Sequence, residues 1–282
     1  MNCKLPPCNV LLCRYHEIAT KGANRASFER RLCRNLVRAL GDKEVRAHRE
    51  RGRIYLHAEN HAEFSDELLT RASQKLSRVF GLESFSPAAR VPSEMAAIEE
   101  VVYAGFDPVF KELASRSGDG TVSYRMRARR SDKLFPLKSK DVEIHFADVL
   151  LDRYSGLKLD LSDAAEITIG VEIREKKTYV FFTQVSGPGG LPSGSSDSAL
   201  ALLSGGIDSP VACYLTMKRG CALDFLLFHS YPYTSEDIIV KVTALVQILD
   251  RWQCRPGRLF AANLAAAQKI IRDVCTDKYG TI

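Results

Sequence analysis

Residues 198–217 read Ser-Ala-Leu-Ala-Leu-Leu-Ser-Gly-Gly-Ile-Asp-Ser-Pro-Val-Ala-Cys-Tyr-Leu-Thr-Met. The apolar run over 199–203 has the length and composition of a buried parallel strand. It enters Ser204-Gly205-Gly206, a turn with almost no side chains, and Ile207-Asp208-Ser209-Pro210 opens a helix carrying Val211, Leu215 and Met217. Strand, bare turn and helix N-terminus together form an anion site: glycines let backbone N–H groups approach a phosphate, and the helix dipole favours negative charge there. Ser204 and Ser209 can donate hydroxyl hydrogen bonds, and Asp208 suits a Mg²⁺ that bridges phosphates. The plainer alternative is a tight strand-to-helix turn with Pro210 in the first helical turn. The Gly-Lys-Ser/Thr ending of a Walker loop is absent.

Working outward, 282 residues allow one to three domains with an ample core. The composition, 45% hydrophobic and 26% charged, is that of a soluble globular protein. The net charge of +6 is a mild pointer to a polyanionic partner. None of the eight cysteines forms a Cys-x-x-Cys pair, so no structural zinc site is expected. No signal-peptide pattern opens the chain, where Pro6-Pro7 break any apolar run, and no segment approaches the roughly 18 apolar residues of a membrane span. A cytoplasmic protein with reduced, mostly core thiols is expected.

Composition and periodicity divide the chain into four parts: 1–65, 66–186, a Gly/Pro/Ser-rich linker at 187–197, and 198–282. The first reads strand (9–15), polar loop (17–24), helix (25–40, with Phe28, Leu32, Leu36 and Leu40 at helical spacing and Gly41 as stop), then strands at 45–49 and 53–57. That order in a short span predicts a small ferredoxin-like α+β unit. The second reads helix (67–79), strand (84–90), one helix opening at 92–94 and a second through 106–114, strand (121–127), helix (142–151), and a hairpin of 167–173 with 178–185. The last part is α/β: strand, loop, helix (211–219), strand (222–228), loop, helix (236–252), strand (259–262) and helix (264–274).

Residues 125–140 hold seven basic residues and one acid. Arg125, Arg127 and Arg129 alternate along a predicted strand and so share one face. Arg130, Lys133, Phe135, Lys138 and Ser139 follow, where hydroxyls and an aromatic ring could reach phosphate, ribose or a base. Residues 25–53 add ten basic residues against four acidic. Two basic patches on small α+β units suit an RNA backbone read by charge and shape. A merely solvated basic face is the alternative.

The string Ser-Gly-Gly-Ile-Asp-Ser-Pro after an apolar strand resembles the pyrophosphate loop of the PP-loop ATP pyrophosphatase superfamily, which activates oxygens as adenylates. Residues 14–25, Lys133-Leu134-Phe135-Pro136 with Ser139, 187–192, 202–212 and 227–236 together resemble the tRNA 4-thiouridine synthetase (tRNA sulfurtransferase) family, over essentially the whole chain. The resemblance implies a multidomain α/β protein: an N-terminal ferredoxin-like domain, an RNA-binding THUMP domain and a Rossmann-like PP-loop domain, here only the N-terminal part of it. It implies ATP contacts from Leu202, Leu203, Ser204, Gly205, Gly206, Asp208, Ser209, Leu227 and Phe228, with Mg²⁺ held at Asp208. It implies RNA contacts from Arg125, Arg127, Arg129, Arg130, Lys133, Phe135, Lys138 and Ser139. The reaction implied is attack of a tRNA uridine oxygen on the α-phosphate of ATP, then displacement of AMP by persulfide sulfur to leave 4-thiouridine. A supply of sulfur to the thiamine thiazole, a cysteine desulfurase as donor and a homodimer are implied likewise. His16 stands where the family usually has glycine. Neither Cys254 nor Cys275 matches the family's sulfur-carrying cysteine, which is expected beyond residue 282. Two other readings stay open: an RNA-binding protein with an inactive PP-loop domain, and a PP-loop enzyme acting on small molecules.

Overall fold

The computed structural model describes residues 8–60, 62–162, 164–233, 235 and 237–275. Cys3, Thr234, Glu236 and the stretch 276–282, all used in the reading of the sequence, lie outside them. In chain order the elements are β1 (Val10–Arg14), α1 (Arg25–Leu40), β2 (Val45–Glu50), β3 (Arg53–Ala58), α2 (Asp66–Leu76), β4 (Ser84–Pro92), α3 (Met95–Arg116), β5 (Val122–Arg130), α4 (Ser139–Arg153), β6 (Leu157–Leu159), β7 (Ile167–Ile173), β8 (Lys177–Phe181), β9 (Val185–Ser186), β10 (Ser198–Leu202), α5 (Asp208–Lys218), β11 (Ala222–His229), α6 (Asp237–Asp250), β12 (Leu259–Asn263) and α7 (Ala265–Val274). They gather into two units, one of residues 1–14, 42–73 and 84–186, the other of 15–41, 74–83 and 187–282.

In the first unit nine strands among the described residues form one sheet, ordered β2-β3-β1-β4-β8-β7-β5-β6, with β9 on the end of β4. The nine-residue β4 joins the two halves. Its first part pairs with β1 (Leu12↔Ser86, Val10↔Ala88) and its second with β8 (Ala89↔Val180, Arg90↔Tyr179). β5 obeys strict alternation. Val122, Tyr124, Met126 and Ala128 enter a core with Ile98, Val102 and Phe106 of α3 and Val142, Phe146 and Leu150 of α4. Arg125, Arg127 and Arg129 take the opposite face, as period two requires.

One local expectation is corrected, and one short strand is new. The break expected between two helices after residue 94 does not occur. α3 runs unbroken through Pro108, because Ile98, Val102, Phe106 and Phe110 keep one buried stripe that tertiary packing holds together despite a proline inside the helix. The three-residue β6 had too short a pattern to read, and it exists because β5 offers it a parallel edge.

In the second unit β10, β11 and β12 form a parallel sheet with Leu202↔Leu226 and Phe228↔Ala262 in register. Leu203, Leu223, Phe225 and Leu227 pack with Cys213 and Met217 of α5 and Val242, Val246 and Leu249 of α6. The run 199–203, expected to be a buried strand, is largely exposed: Leu203 is buried, Ala201 partly so, and no other residue of it is covered. Leu200, Leu202, Phe228 and Phe260 on the other face are exposed. The stretch 187–197, linker-like in composition, lies packed within this unit. Leu191 N–H donates to Lys218 O at 2.9 Å, and a Cβ built on Gly190, whose φ is +78°, would come within 2.4 Å of that same oxygen. Glycine there serves close approach rather than freedom.

Candidate functional site

The phosphate-loop candidate sits at the carboxyl ends of parallel strands, where open α/β sheets bind ligands. β10 ends at Leu202, and the chain turns through 203–207 into α5. Ser204 N–H donates to Ser209 Oγ at 3.0 Å, and the Ser204 and Ser209 hydroxyls lie 3.0 Å apart. Gly206 N–H leans on Ser204 Oγ at 3.4 Å. No side chain caps the start of α5, whose Asp208 stands in the first turn. The first amides of a helix lack internal acceptors, so this end offers a cluster of donors to an anion. The two serines close the loop, and Asp208 places a carboxylate at its rim.

Lys241 on α6 is a residue the reading of the sequence missed. A Cβ placed on Gly205 would lie 2.7 Å from Ile238 Cδ1 and 3.7 Å from Lys241 Nζ. One helical turn separates Ile238 from Lys241, so both project beside the glycine. The ammonium therefore lies next to the loop at Gly205. A lysine five residues into a predicted helix, with 35 residues between it and the loop, gives no local signal.

The remaining nucleotide candidates divide by strand parity. Leu203 and Leu227 have core side chains, each 2% exposed, so only their backbones face the strand ends. Leu202 and Phe228 are 62% and 46% exposed on the outer face of the sheet. His229 ends β11. Its carbonyl accepts from Leu264 N–H at 2.8 Å and its Nδ1 from Tyr231 N–H at 3.4 Å.

The basic candidates lie in the first unit. Arg127 and Arg129 are exposed on the face of β5 opposite the α3/α4 core, and Arg125 is partly buried beside them. Arg125 donates to Thr168 Oγ1 and Ser162 O, and Arg127 to Leu161 O, all at 2.9–3.0 Å, so their guanidiniums are oriented. Lys133 and Lys138 are exposed and Ser139 opens α4. Two candidates are corrected. Phe135 is 5% exposed in the core around α3 and α4, so its ring is not available to stack on a base. Arg130 has the opposite parity to its neighbours and donates to Phe135 O and Leu137 O at 2.9 and 3.0 Å, bracing the loop instead of facing outward.

The same sheet face carries a charge cluster that no motif announced. Glu172 on β7, 3% exposed, meets Arg14 at 3.4 Å, Arg53 at 3.3 Å and Arg174 at 3.1 Å. Burial pushes the Glu172 carboxyl up, but the guanidiniums of Arg53, Arg14 and Arg174 outweigh it and hold the group below the usual carboxylate range. Across the strands the register runs Arg129↔Glu172↔Tyr179↔Arg90. One carboxylate thus holds two guanidiniums from distant parts of the chain and one from its own strand end. Among the described residues no group of three or more His, Cys, Asp or Glu could hold a metal ion, and no helix is long and apolar enough to cross a membrane.

The family described as "ThiI ferredoxin-like domain" matches residues 10–86, "THUMP domain" 93–183, and "Thiamine biosynthesis protein (ThiI)" 194–282. A "Probable tRNA sulfurtransferase" of Natranaerobius thermophilus is 39% identical over 95% of the chain and 64% of its own length. That of Alkaliphilus oremlandii is 34% identical over 97% of the chain and 67% of its own length. The chain thus spans about 64% of the first of these relatives. A crystal structure of a 4-thiouridine synthetase–RNA complex with bound ATP superposes with a TM-score of 0.80 at 28% identity, over 96% of this chain and 66% of that one. PH1313 from Pyrococcus horikoshii superposes with a TM-score of 0.75 at 30% identity, over 95% of this chain and 83% of that one.

Proposed function

The chain belongs to the tRNA sulfurtransferase family, and from that premise we propose that it takes part in ATP-dependent sulfur transfer to a tRNA uridine, forming 4-thiouridine. The observation that carries the reading is the uncapped N-terminus of α5 behind the Ser204–Ser209 hydroxyl pair, with Lys241 beside Gly205. Amide donors, hydroxyls and one ammonium in that arrangement suit the triphosphate of ATP, the ligand held by the similar 4-thiouridine synthetase. Ser204, Gly205, Gly206 and Ser209 bind phosphate oxygens, and Lys241 offsets their charge. Asp208 would hold Mg²⁺, which supplies Lewis-acid polarisation of the phosphates. Leu202 and Phe228 present apolar surface for the adenosine part, and the Leu203 and Leu227 backbones border it.

In the reaction the uridine oxygen displaces pyrophosphate from the α-phosphate, a persulfide sulfur then displaces AMP from the activated base, and a second thiol takes the persulfide's inner sulfur into a disulfide as the base leaves as 4-thiouridine. A cysteine desulfurase as persulfide source, sulfur supply to the thiamine thiazole, a homodimeric assembly and a cytoplasmic setting belong to this same proposal. The residues before 187 bind RNA through Arg125, Arg127, Arg129, Lys133, Lys138 and Ser139, matching a relative crystallised with RNA. We assign 1–65 to the ferredoxin-like part, 66–186 to THUMP, 187–197 to the connecting strap and 198–282 to the PP-loop part.

The test is nucleotide binding by the chain and by its Asp208→Ala variant with MgATP, alongside RNA binding by both. The expected result is loss of at least tenfold in MgATP affinity with RNA affinity unchanged. An Asp208→Ala variant that binds MgATP as tightly as the parent chain refutes the assignment of the loop.

A further inference from the structure

Within the second unit a cavity of about 500 Å³ opens between the far ends of three helices, remote from the phosphate loop. It is lined by Arg38 near the end of α1, Lys75 at the end of α2, Arg78 just beyond, Arg251 and Trp252 just after α6, and Ser193 of the strap. Lys241 lies in the early part of α6 beside the phosphate loop, whereas these residues follow its last turn. Fourteen residues of helix at 1.5 Å each put the two ends about 20 Å apart. The size suits a small ligand or a single nucleotide.

Among the described residues no carboxylate lines this cavity, and four cations do. Helix C-termini attract cations by their dipoles, which could account for such residues without any ligand. Their bonding argues against that account. Only Arg38 satisfies a carbonyl, donating to Cys254 O at 2.5 Å. The side chains of Lys75, Arg78 and Arg251 make no hydrogen bond or ion pair among the described residues. Like charges gathered around one concavity repel one another, and an anion entering it relieves that repulsion. The floor is polar and ordered: Asn35 Nδ2 donates to Ser193 O at 2.9 Å, and the Ser193 hydroxyl bonds Cys254 Sγ at 3.7 Å. Trp252 is partly buried, its ring set 5.6 Å from that of Phe80 and 5.0 Å from that of Tyr214. An indole held in place at the wall of a cationic cavity can border a planar base while the cations bind its phosphate.

We propose that this cavity is a second anion site, separate from the phosphate loop, that takes a phosphate group of a free nucleotide or of an RNA backbone. The inference does not depend on the reading of the loop as an ATP site. Trp252 is the single tryptophan of the chain, so its emission reports on occupancy directly. The chain is titrated with inorganic pyrophosphate, with AMP and with a short RNA duplex, at low and at moderate salt. A saturable change in Trp252 emission is expected, weakened by salt and shifted at least tenfold to higher concentration by Arg78→Gln with Arg251→Gln. A response to pyrophosphate or AMP assigns the site to a free phosphate compound, and a response to the duplex alone assigns it to nucleic acid. Lys75 and Arg251 are exposed, so Lys75→Gln with Arg251→Gln serves should the half-buried Arg78 prove necessary for folding. The absence of a saturable response to all three probes overturns the proposal. So does an unchanged response in folded variants, and so does a response abolished by Asp208→Ala, which would belong to the phosphate loop.

Discussion

Replacing Glu172 by glutamine tests whether one buried carboxylate organises the basic sheet face. The side chain is 4% exposed and touches three guanidiniums at 3.1–3.4 Å. At an effective dielectric constant near 20, each such contact is worth about 5 kcal/mol before desolvation. Desolvation of the ions takes back several kcal/mol each, so the net value of the cluster is far smaller than the sum. Removing the carboxylate the three share leaves the opposite asymmetry. Arg14 and Arg174, with side chains 11% and 12% exposed, stay buried and repel each other, and one Arg14 nitrogen already lacks a hydrogen-bond partner. Breaking a buried pair in this way costs about 3–5 kcal/mol. Urea unfolding followed by far-UV circular dichroism at neutral pH should show that loss in Glu172→Gln. The pH dependence follows from the depressed carboxyl. Its contribution is complete above the ordinary carboxylate range and is lost as pH falls through the lower, folded-state value. The variant should accordingly lack part of the parent's acid-limb decline. A Glu172→Gln protein within about 1 kcal/mol of the parent at neutral pH would show that water, not the carboxylate, compensates the arginines.

The other expectations are more local. Lys241→Met keeps the alkyl stem beside Gly205 but removes the charge, so ATP affinity at low salt should fall about tenfold with an unchanged unfolding midpoint; equal affinity by calorimetry counts against a phosphate contact. Arg127→Ala with Lys138→Ala should weaken RNA binding and flatten its salt dependence by roughly two phosphate contacts, read from affinities at several salt concentrations, and an unaltered slope removes this loop from the interface. Burial pushes the Cys8 thiol up to about 12, whereas Cys275 is exposed. An alkylating reagent should therefore label Cys275 first and reach Cys8 only on unfolding, as peptide mapping by mass spectrometry would show. Early labelling of Cys8 would contradict its burial.

Local chemistry made much of this chain legible from its residues alone. Ser204-Gly205-Gly206 after an apolar run, the alternation of Arg125, Arg127 and Arg129, and the Gly41 stop after an amphipathic stretch each encode a conformation within a few residues, because period and glycine geometry act at short range. The strand, loop and helix around the phosphate loop, and the exposed arginine row, follow from those signals. What only the tertiary structure decided depends on which distant segments meet. Phe135 reads as a ring in a basic loop but fills a core with α3 and α4, and Arg130 reads as one more surface cation but braces two carbonyls. Glu172 gathers Arg14 and Arg53 across long stretches of chain beside its near neighbour Arg174, Lys241 reaches Gly205 from another helix, and three helix ends bring cations around one cavity. Such contacts are set by strand order and packing, in which the whole core chooses the partners. For Glu172 with Arg14 and Arg53, and for Lys241 with Gly205, no short window of sequence contains both sides.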